Sequence, residues 1–262
     1  MCDRREIING FYDSYDEETR MENSRQAQLE YYTTMHFIRK YLADKGKVIE
    51  VGAGTGRYSI NLAKEGYDVT AVEFADRNFE ILCRKCEEIP NIKACKGDGV
   101  DLHFIADNSF DMTLILGPLY HLYDRQDQEA AIKEAIRVTK KGGIIIAAFL
   151  SVHAIMFDNY LQGNFASGLE ENFTRDYKVK HFPEQLFTGF NIDEFEELFT
   201  DMPVDKITIA AVDGIMELAE RREDFSMSEA EFDAFKDYHL HHCQRVELLG
   251  SSSHLIYIAR KK

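Results

Sequence analysis

Short apolar runs rich in β-branched residues alternate with stretches of helical period through the middle of the chain. Lys47 to Val51, Asp68 to Glu73, Ile92 to Cys95, Ser109 to Leu116 and Gly143 to Leu150 read as strands. Between them, Gly56 to Lys64, Asp76 to Glu88 and Arg125 to Thr139 read as helices. The last of these carries Ala130, Ala131, Ala135, Ile136 and Val138 at helical spacing, with Lys140-Lys141-Gly142-Gly143 as a basic, glycine-ended stop. Strands joined by crossover helices predict an α/β fold with a doubly wound, mainly parallel sheet.

Upstream, Thr19 to Leu42 reads as one helix, preceded by the aromatic stretch Phe11 to Tyr15. Downstream, Val152 to Leu161 looks helical. Gln162 to Phe187 is irregular, aromatic-rich and dotted with glycine, as a lid would be. Asn191 to Glu194 resembles a capping box opening a helix to Phe199, and Val204 to Val212 alternates as a strand. Ser226 with Glu229 is a second box, heading a helix to about Leu248. Ser253 to Ala259 reads as a final antiparallel strand.

Composition narrows the picture. The chain has 262 residues, 45% of them apolar, and so can bury a core without disulfide or metal support. Its longest apolar run, Ile144 to Leu150, is far short of the roughly 20 residues of a membrane span. The first residues alternate charge with no apolar signal region behind them, so a cytoplasmic location is expected. The five cysteines, Cys2, Cys83, Cys86, Cys95 and Cys243, are too scattered for a disulfide scaffold and read as free thiols. A formal charge of -15 opposes nucleic acid as a partner. Residues 151–262 hold -10 of it, which either keeps a solvated face soluble or steers a cationic substrate.

The most informative segment is Val48-Ile49-Glu50-Val51-Gly52-Ala53-Gly54-Thr55-Gly56-Arg57, a strand running into glycines just before a helix. A dinucleotide fingerprint needs G-x-G-x-x-G, and its third glycine would fall on Arg57. Glu50 would also repel a pyrophosphate, whereas an ammonium group would suit it. Glu73 ends the second strand, where an acidic side chain accepts from ribose hydroxyls. Asp98, in Gly97-Asp98-Gly99, can accept from an exocyclic amine such as that of adenine. Ammonium, ribose and adenine without phosphates describe S-adenosylmethionine.

Together with Ala71-Val72-Glu73, the Phe110-Asp111 opening of the fourth strand and Lys140 to Gly143 before the fifth, this series resembles the class I S-adenosylmethionine-dependent methyltransferases over residues 41–150. The resemblance implies that Glu50 and the Gly52 to Gly54 backbone, with Gly56 closing the turn, hold the methionine end. It gives Glu73 the ribose, Asp98 with the Gly99 to Val100 backbone the adenine, and Phe74 the flank of the adenine ring. It also implies a Rossmann-like sheet of seven strands with the last inserted antiparallel. The expected organisation is one domain over 1–262: an N-terminal helical lid (1–43), a cofactor-binding core (44–150), a lid insertion (151–189), and C-terminal strands with a helical insertion (190–262).

After the fourth strand comes Gly117-Pro118-Leu119-Tyr120-His121-Leu122, where the family places groups near the transferred methyl. Gly117 offers no acceptor for a nucleic-acid amine. The segment is similar to the GPLYHL of a bacterial small-molecule-type group, which implies a small-molecule substrate. His121 is the candidate general base for an oxygen acceptor, Tyr120 a pocket wall, and His153 a further base candidate. Tyr12, Tyr15 and Arg20 are candidates to close over the ligands. Two clusters tempt toward metal, His239, His241, His242 with Cys243, and Cys83-x-x-Cys86 with Cys95; neither supplies a full ligand set, and no metal is expected. The rival readings are a non-catalytic S-adenosylmethionine-binding protein, a nicotinamide oxidoreductase, and an RNA or protein methyltransferase. No motif sets an oligomeric state.

Overall fold

The apolar runs pair into a single sheet in the computed structural model of the chain, which describes residues 4–161, 163–182 and 184–262. Cys2 and the two lid positions Gln162 and Pro183 lie outside the described residues. The strands are β1 (Lys47–Val51), β2 (Asp68–Glu73), β3 (Ile92–Lys96), β4 (Phe110–Ile115), β5 (Thr139–Ser151), β6 (Gly189–Phe190), β7 (Val204–Ala211) and β8 (His254–Lys261). The helices are α1 (Arg4–Tyr12), α2 (Arg25–Tyr41), α3 (Arg57–Lys64), α4 (Asp76–Cys86), α5 (Arg125–Val138), α6 (Val152–Tyr160), α7 (Phe165–Asn172), α8 (Ile192–Glu197), α9 (Met216–Glu220), α10 (Glu229–His242) and α11 (Val246–Leu249).

The eight strands run in the order β3-β2-β1-β4-β5-β8-β7, with β6 a two-residue addition beside β5. β1 to β5 are mutually parallel, and β8 is antiparallel to both β5 and β7. This is the expected doubly wound Rossmann-like sheet. β1 lies between β2 and β4, so the chain reverses its winding there and leaves a crevice at the carboxyl ends of the central strands. β1 and β4 bury four or more consecutive residues each, as strands covered on both faces must.

Five expectations differ from the structure; the first is the stretch Gln162 to Phe187, expected to be irregular, which carries the helix α7. The helix read over Thr19 to Leu42 breaks: a 3₁₀ turn at Arg20–Glu22 is followed by Ser24, whose hydroxyl accepts from the Ala27 amide and starts α2. The capping box forms at Ser228 with Glu231, not Ser226 with Glu229. Met227 and Phe232 then flank the cap in one apolar cluster with Leu29 and Met216, a staple that the earlier position would lack. α10 ends at His242, and Val246–Leu249 is a separate turn of helix. Finally, Lys140 to Gly143 are not a helix stop but a bulge within β5. Thr139 already pairs with Phe110, its hydroxyl bonds the Ala135 carbonyl at 2.6 Å, and Gly142 takes φ +78°.

Candidate active site

β1 delivers the chain into Gly52 and Gly54, both left-handed at φ +76° and +55°. A Cβ at Gly52 would stand 2.6 Å from Pro118 Cδ, so the loop after β4 packs directly on this turn. Gly56 does not face the crevice. A Cβ there would stand 2.6 Å from Leu82 Cδ1, so this glycine serves the packing of α3 on α4.

Two buried carboxylates hold the turn. Glu73, at the end of β2, accepts from the Gly54 amide through Oε2 and from the Ala75 amide through Oε1, each at 2.7 Å. Burial pushes its carboxyl up to about 7 in spite of these donors. Glu50, inside β1, accepts through Oε2 from the Ser59 amide at 2.9 Å and from the Ser59 hydroxyl. Burial pushes it up to about 8. Among the described residues neither carboxylate makes a salt bridge, so each is a buried acid without a contacting cation.

At the end of β3, Asp98 accepts from the Val100 amide at 3.2 Å and pairs with the Arg4 guanidinium. The Val100 amide is therefore engaged by Asp98, and Val100 does not line the crevice. The guanidinium carbons of Arg4 and Arg5 each stand 5.1 Å from the Phe74 ring centroid. Glu50, Gly52, Gly54, Glu73, Phe74, Asp98, Gly99 and Gly117 line one cleft, roofed by α1.

A second, larger cavity adjoins it. Tyr12, Glu17, Arg20 and Tyr120 line both spaces and form the wall between them. Arg20 reaches Glu30 through two nitrogens, at 2.9 and 3.2 Å, and Glu17 at 3.3 Å. The helix break makes this possible, because ten residues of continuous helix would separate positions 20 and 30 by about 15 Å. Burial opposes the guanidinium charge, but the two carboxylates outweigh it and raise its pKa well above the ordinary value. Burial raises the Tyr12 hydroxyl, and it raises the Tyr120 hydroxyl as well.

His121 lines the first cleft beside Tyr120. Its Nδ1 is 2.8 Å from the Leu186 carbonyl and its Nε2 is 3.1 Å from the Tyr12 hydroxyl. Burial lowers the imidazole to about 4, so it stands neutral. Tyr15 lines the second cavity, stacked on Phe11 at 4.8 Å. His153 is on the exposed face of α6 near Phe173 and lines neither space.

Sequence reasoning did not single out Arg4, Glu17, Glu30, Asp158, Phe187, Glu217 or His254, all of which line one of the two spaces. The aromatic stretch next to Glu17 and the lid reading that ends at Phe187 were the available signals. The two candidate metal clusters have other roles. His239 Nε2 donates to the Ala211 carbonyl at 3.0 Å, and His241 is exposed. Cys86 is buried in the α4 packing, while Cys83 and Cys95 are half-buried free thiols.

Residues 48–143 match the family model of a methyltransferase domain. Over 103 residues the chain is 34% identical to the demethylmenaquinone methyltransferase of Staphylococcus aureus strain MRSA252, covering 38% of this chain and 41% of that protein. The match thus spans about two fifths of that curated relative. A Thermotoga maritima structure described as an S-adenosylmethionine-dependent methyltransferase, possibly a histamine N-methyltransferase, superimposes with TM-score 0.59 at 18% identity, covering 99% of this chain and 100% of that one. The N-methyltransferase NodS from Bradyrhizobium japonicum WM9, solved with S-adenosyl-L-homocysteine, gives TM-score 0.62 at 12% identity, with 99% of each chain covered. At these identities the structural likenesses show the fold. Residues 48–143 are therefore similar to a methyltransferase domain, and the sheet that carries them has the fold of these solved structures.

Proposed function

We propose that the chain is an S-adenosylmethionine-dependent methyltransferase whose acceptor is a small molecule seated in the second cavity. The observation that carries this reading is the shared wall: Tyr12, Glu17, Arg20 and Tyr120 face the glycine-turn cleft on one side and an aromatic-lined cavity on the other. The cleft's donor set suits the cofactor. Glu50 is a buried carboxylate without a contacting cation and fits an ammonium group, and the left-handed Gly52 and Gly54 present bare backbone along the cleft. In this reading Glu50 and the Gly52 to Gly54 backbone take the amino-acid end, Glu73 the ribose, and Asp98 with Phe74 the adenine. Arg4 has to leave Asp98 and Phe74 for that to happen.

When bound, S-adenosylmethionine supplies a methyl group on a positively charged sulfur. The chain's own part is to orient the acceptor and to keep water out, which accounts for much of the catalysis of such displacements. α1 roofs the cleft and Phe187 brings the lid insertion onto Phe11 at 5.4 Å. The neutral His121 holds the Tyr12 hydroxyl at the wall, a positioning role better suited to its depressed pKa than proton abstraction. The GPLYHL resemblance supports the small-molecule class, as does the acidic surface, which disfavours nucleic acid.

Two measurements test the proposal together. Calorimetric titration should show saturable binding of S-adenosylhomocysteine and none of NAD. Labelled methyl transfer to a low-mass extract should survive removal of macromolecules. Binding without transfer to any acceptor would make this a non-catalytic binder, and activity that vanishes with the macromolecules would make the acceptor RNA or protein.

A further inference from the structure

The second cavity has two kinds of surface. One side is aromatic: Phe11 stacks on Tyr15 at 4.8 Å, and Phe187 meets Phe11 edge-on at 5.4 Å. The other side is acidic. Asp158, near the end of α6, and Glu217, in α9, both line the cavity and do not line the cleft. The Asp158 side chain is only 6% exposed. Its Oδ2 accepts from the Ser253 hydroxyl at 2.9 Å, while Oδ1 accepts no hydrogen bond among the described residues and has Arg221 Nε at 4.0 Å. Arg221 instead gives its terminal nitrogen to Glu217, at 2.9 Å.

The remaining charged groups nearby each have a partner of opposite sign, Glu17 sharing Arg20 with Glu30. Arg20 chelates Glu30. His254 Nδ1 donates to Asp213 at 2.7 Å. Among the described residues, Asp158 and Glu217 thus share the one cation Arg221, in a cavity also lined by Phe11, Tyr15 and Phe187. A neutral or anionic occupant would bury the surplus negative charge uncompensated, which is costly. An ammonium group presents three donors to two carboxylates and is attracted to aromatic faces as well.

We infer that the acceptor is an amine-bearing molecule with an aromatic or apolar body, whose protonated amine is held by Asp158 and Glu217 while another part of it reaches the Tyr12–Tyr120 wall. This rests on the methyltransferase reading and names its substrate class. A metal ion is the weaker occupant of this region. Asp213, Glu217 and His254 could approach one, but both Asp213 oxygens are already engaged. Oδ1 accepts from the Ser252 hydroxyl at 2.5 Å and the His254 amide at 3.1 Å, and Oδ2 from His254 Nδ1 and from Gln26 at 2.6 Å. A metal would have to displace these bonds.

The test uses the full chain saturated with S-adenosylhomocysteine, so that binding is read without turnover. Tyramine, 4-ethylphenol and 3-(4-hydroxyphenyl)propanoate share a ring and differ in charge. Tyramine is expected to bind at least about tenfold more tightly than either of the others, a gap set by one desolvated charge pair. Asp158→Asn, nearly isosteric, should abolish the preference while S-adenosylhomocysteine affinity stays unchanged. If that variant no longer binds S-adenosylhomocysteine, Glu217→Gln carries the same test. Equal binding of the three probes, no binding of tyramine, or a preference that survives both substitutions overturns the inference. So does manganese binding that displaces tyramine and disappears in His254→Ala. Failure of the wild-type chain to bind S-adenosylhomocysteine at all would instead strike the methyltransferase reading itself.

Discussion

The Tyr12 hydroxyl donates to His121 Nε2 at 3.1 Å, linking α1 to the loop after β4 across 109 residues of chain. The direction of the bond follows from the other ring nitrogen. The Leu186 carbonyl can only accept, so Nδ1 carries the proton and Nε2 of the neutral ring is an acceptor. Three segments thus meet on one imidazole: α1, the loop after β4 and the segment around Leu186 that precedes β6.

If His121 positions rather than abstracts, its substitution should act on binding. Tyr12→Phe and His121→Ala are each expected to raise KM by about tenfold through one lost buried hydrogen bond, with kcat changed less. Steady-state kinetics on any acceptor found would check this. A fall in kcat of about 100-fold with KM unchanged would restore His121 as the base.

The same residue sets an acid limit. Its folded pKa of about 4 lies below the ordinary value near 6.5, so its contribution to stability is present above pH 6.5 and is lost as pH falls toward 4. Thermal melts of wild type between pH 7 and pH 4.5 should fall more steeply than those of His121→Asn. Parallel curves would show that the imidazole is protonated without cost.

Glu73 has two duties, and they can be separated. It ties the Gly54 and Ala75 amides together, and in the proposed reading it also accepts from the ribose. Glu73→Ala should weaken S-adenosylhomocysteine binding by about 1 to 3 kcal/mol. Glu73→Gln keeps one carbonyl acceptor and should lose less. Unchanged affinity in both variants, measured by calorimetry, would remove Glu73 from the cofactor site.

How far this site could be read before the fold was known depended on the range of the signals involved. β1 and β2 match their expected limits residue for residue, because a buried strand followed by glycines is a local pattern. The Gly52 to Gly54 turn, Glu50, Glu73 and Asp98 follow from that pattern, since strand ends in a parallel sheet share one edge. The second cavity had no such signature. Glu17, Asp158, Glu217 and His254 are spread over more than two hundred residues, and only the docking of α6, α9 and β8 brings them together. The break before Ser24 is hidden in the sequence because helical periodicity continues through it; the Ser24 cap starts α2 afresh and lets Arg20 fold back onto Glu30. The choice between Ser226 and Ser228 turned on which cap lets its flanking side chains reach Leu29.

That Arg20–Glu30 pair is expected to matter to stability as well as to the wall. Removing one partner leaves the other buried without its counter-charge, which typically costs about 3 to 5 kcal/mol at fully buried sites. Arg20 retains 23% side-chain exposure, so Arg20→Ala should cost somewhat less, and Glu30→Gln less still. Chemical denaturation would measure both. A change below about 0.5 kcal/mol, typical of surface substitutions, would mean the pair is solvated.

The last prediction concerns protons rather than affinity. Glu50 has a folded pKa of about 8, above its ordinary 4.5, because burial opposes its charge. Without ligand it is therefore largely protonated at pH 7, and its stabilising contribution is lost as pH rises through about 8. An ammonium group arriving beside it favours the charged form and lowers that pKa. Binding of S-adenosylhomocysteine at pH 7 should then release close to one proton, and affinity should rise between pH 6 and pH 8. Calorimetry in buffers of different ionisation enthalpy counts the released protons directly. Glu50→Gln should abolish the release while leaving the glycine turn in place. A proton count that is the same in the wild type and in Glu50→Gln would place the ammonium group away from Glu50, because the variant leaves Glu73, the other raised carboxylate of the cleft, unchanged.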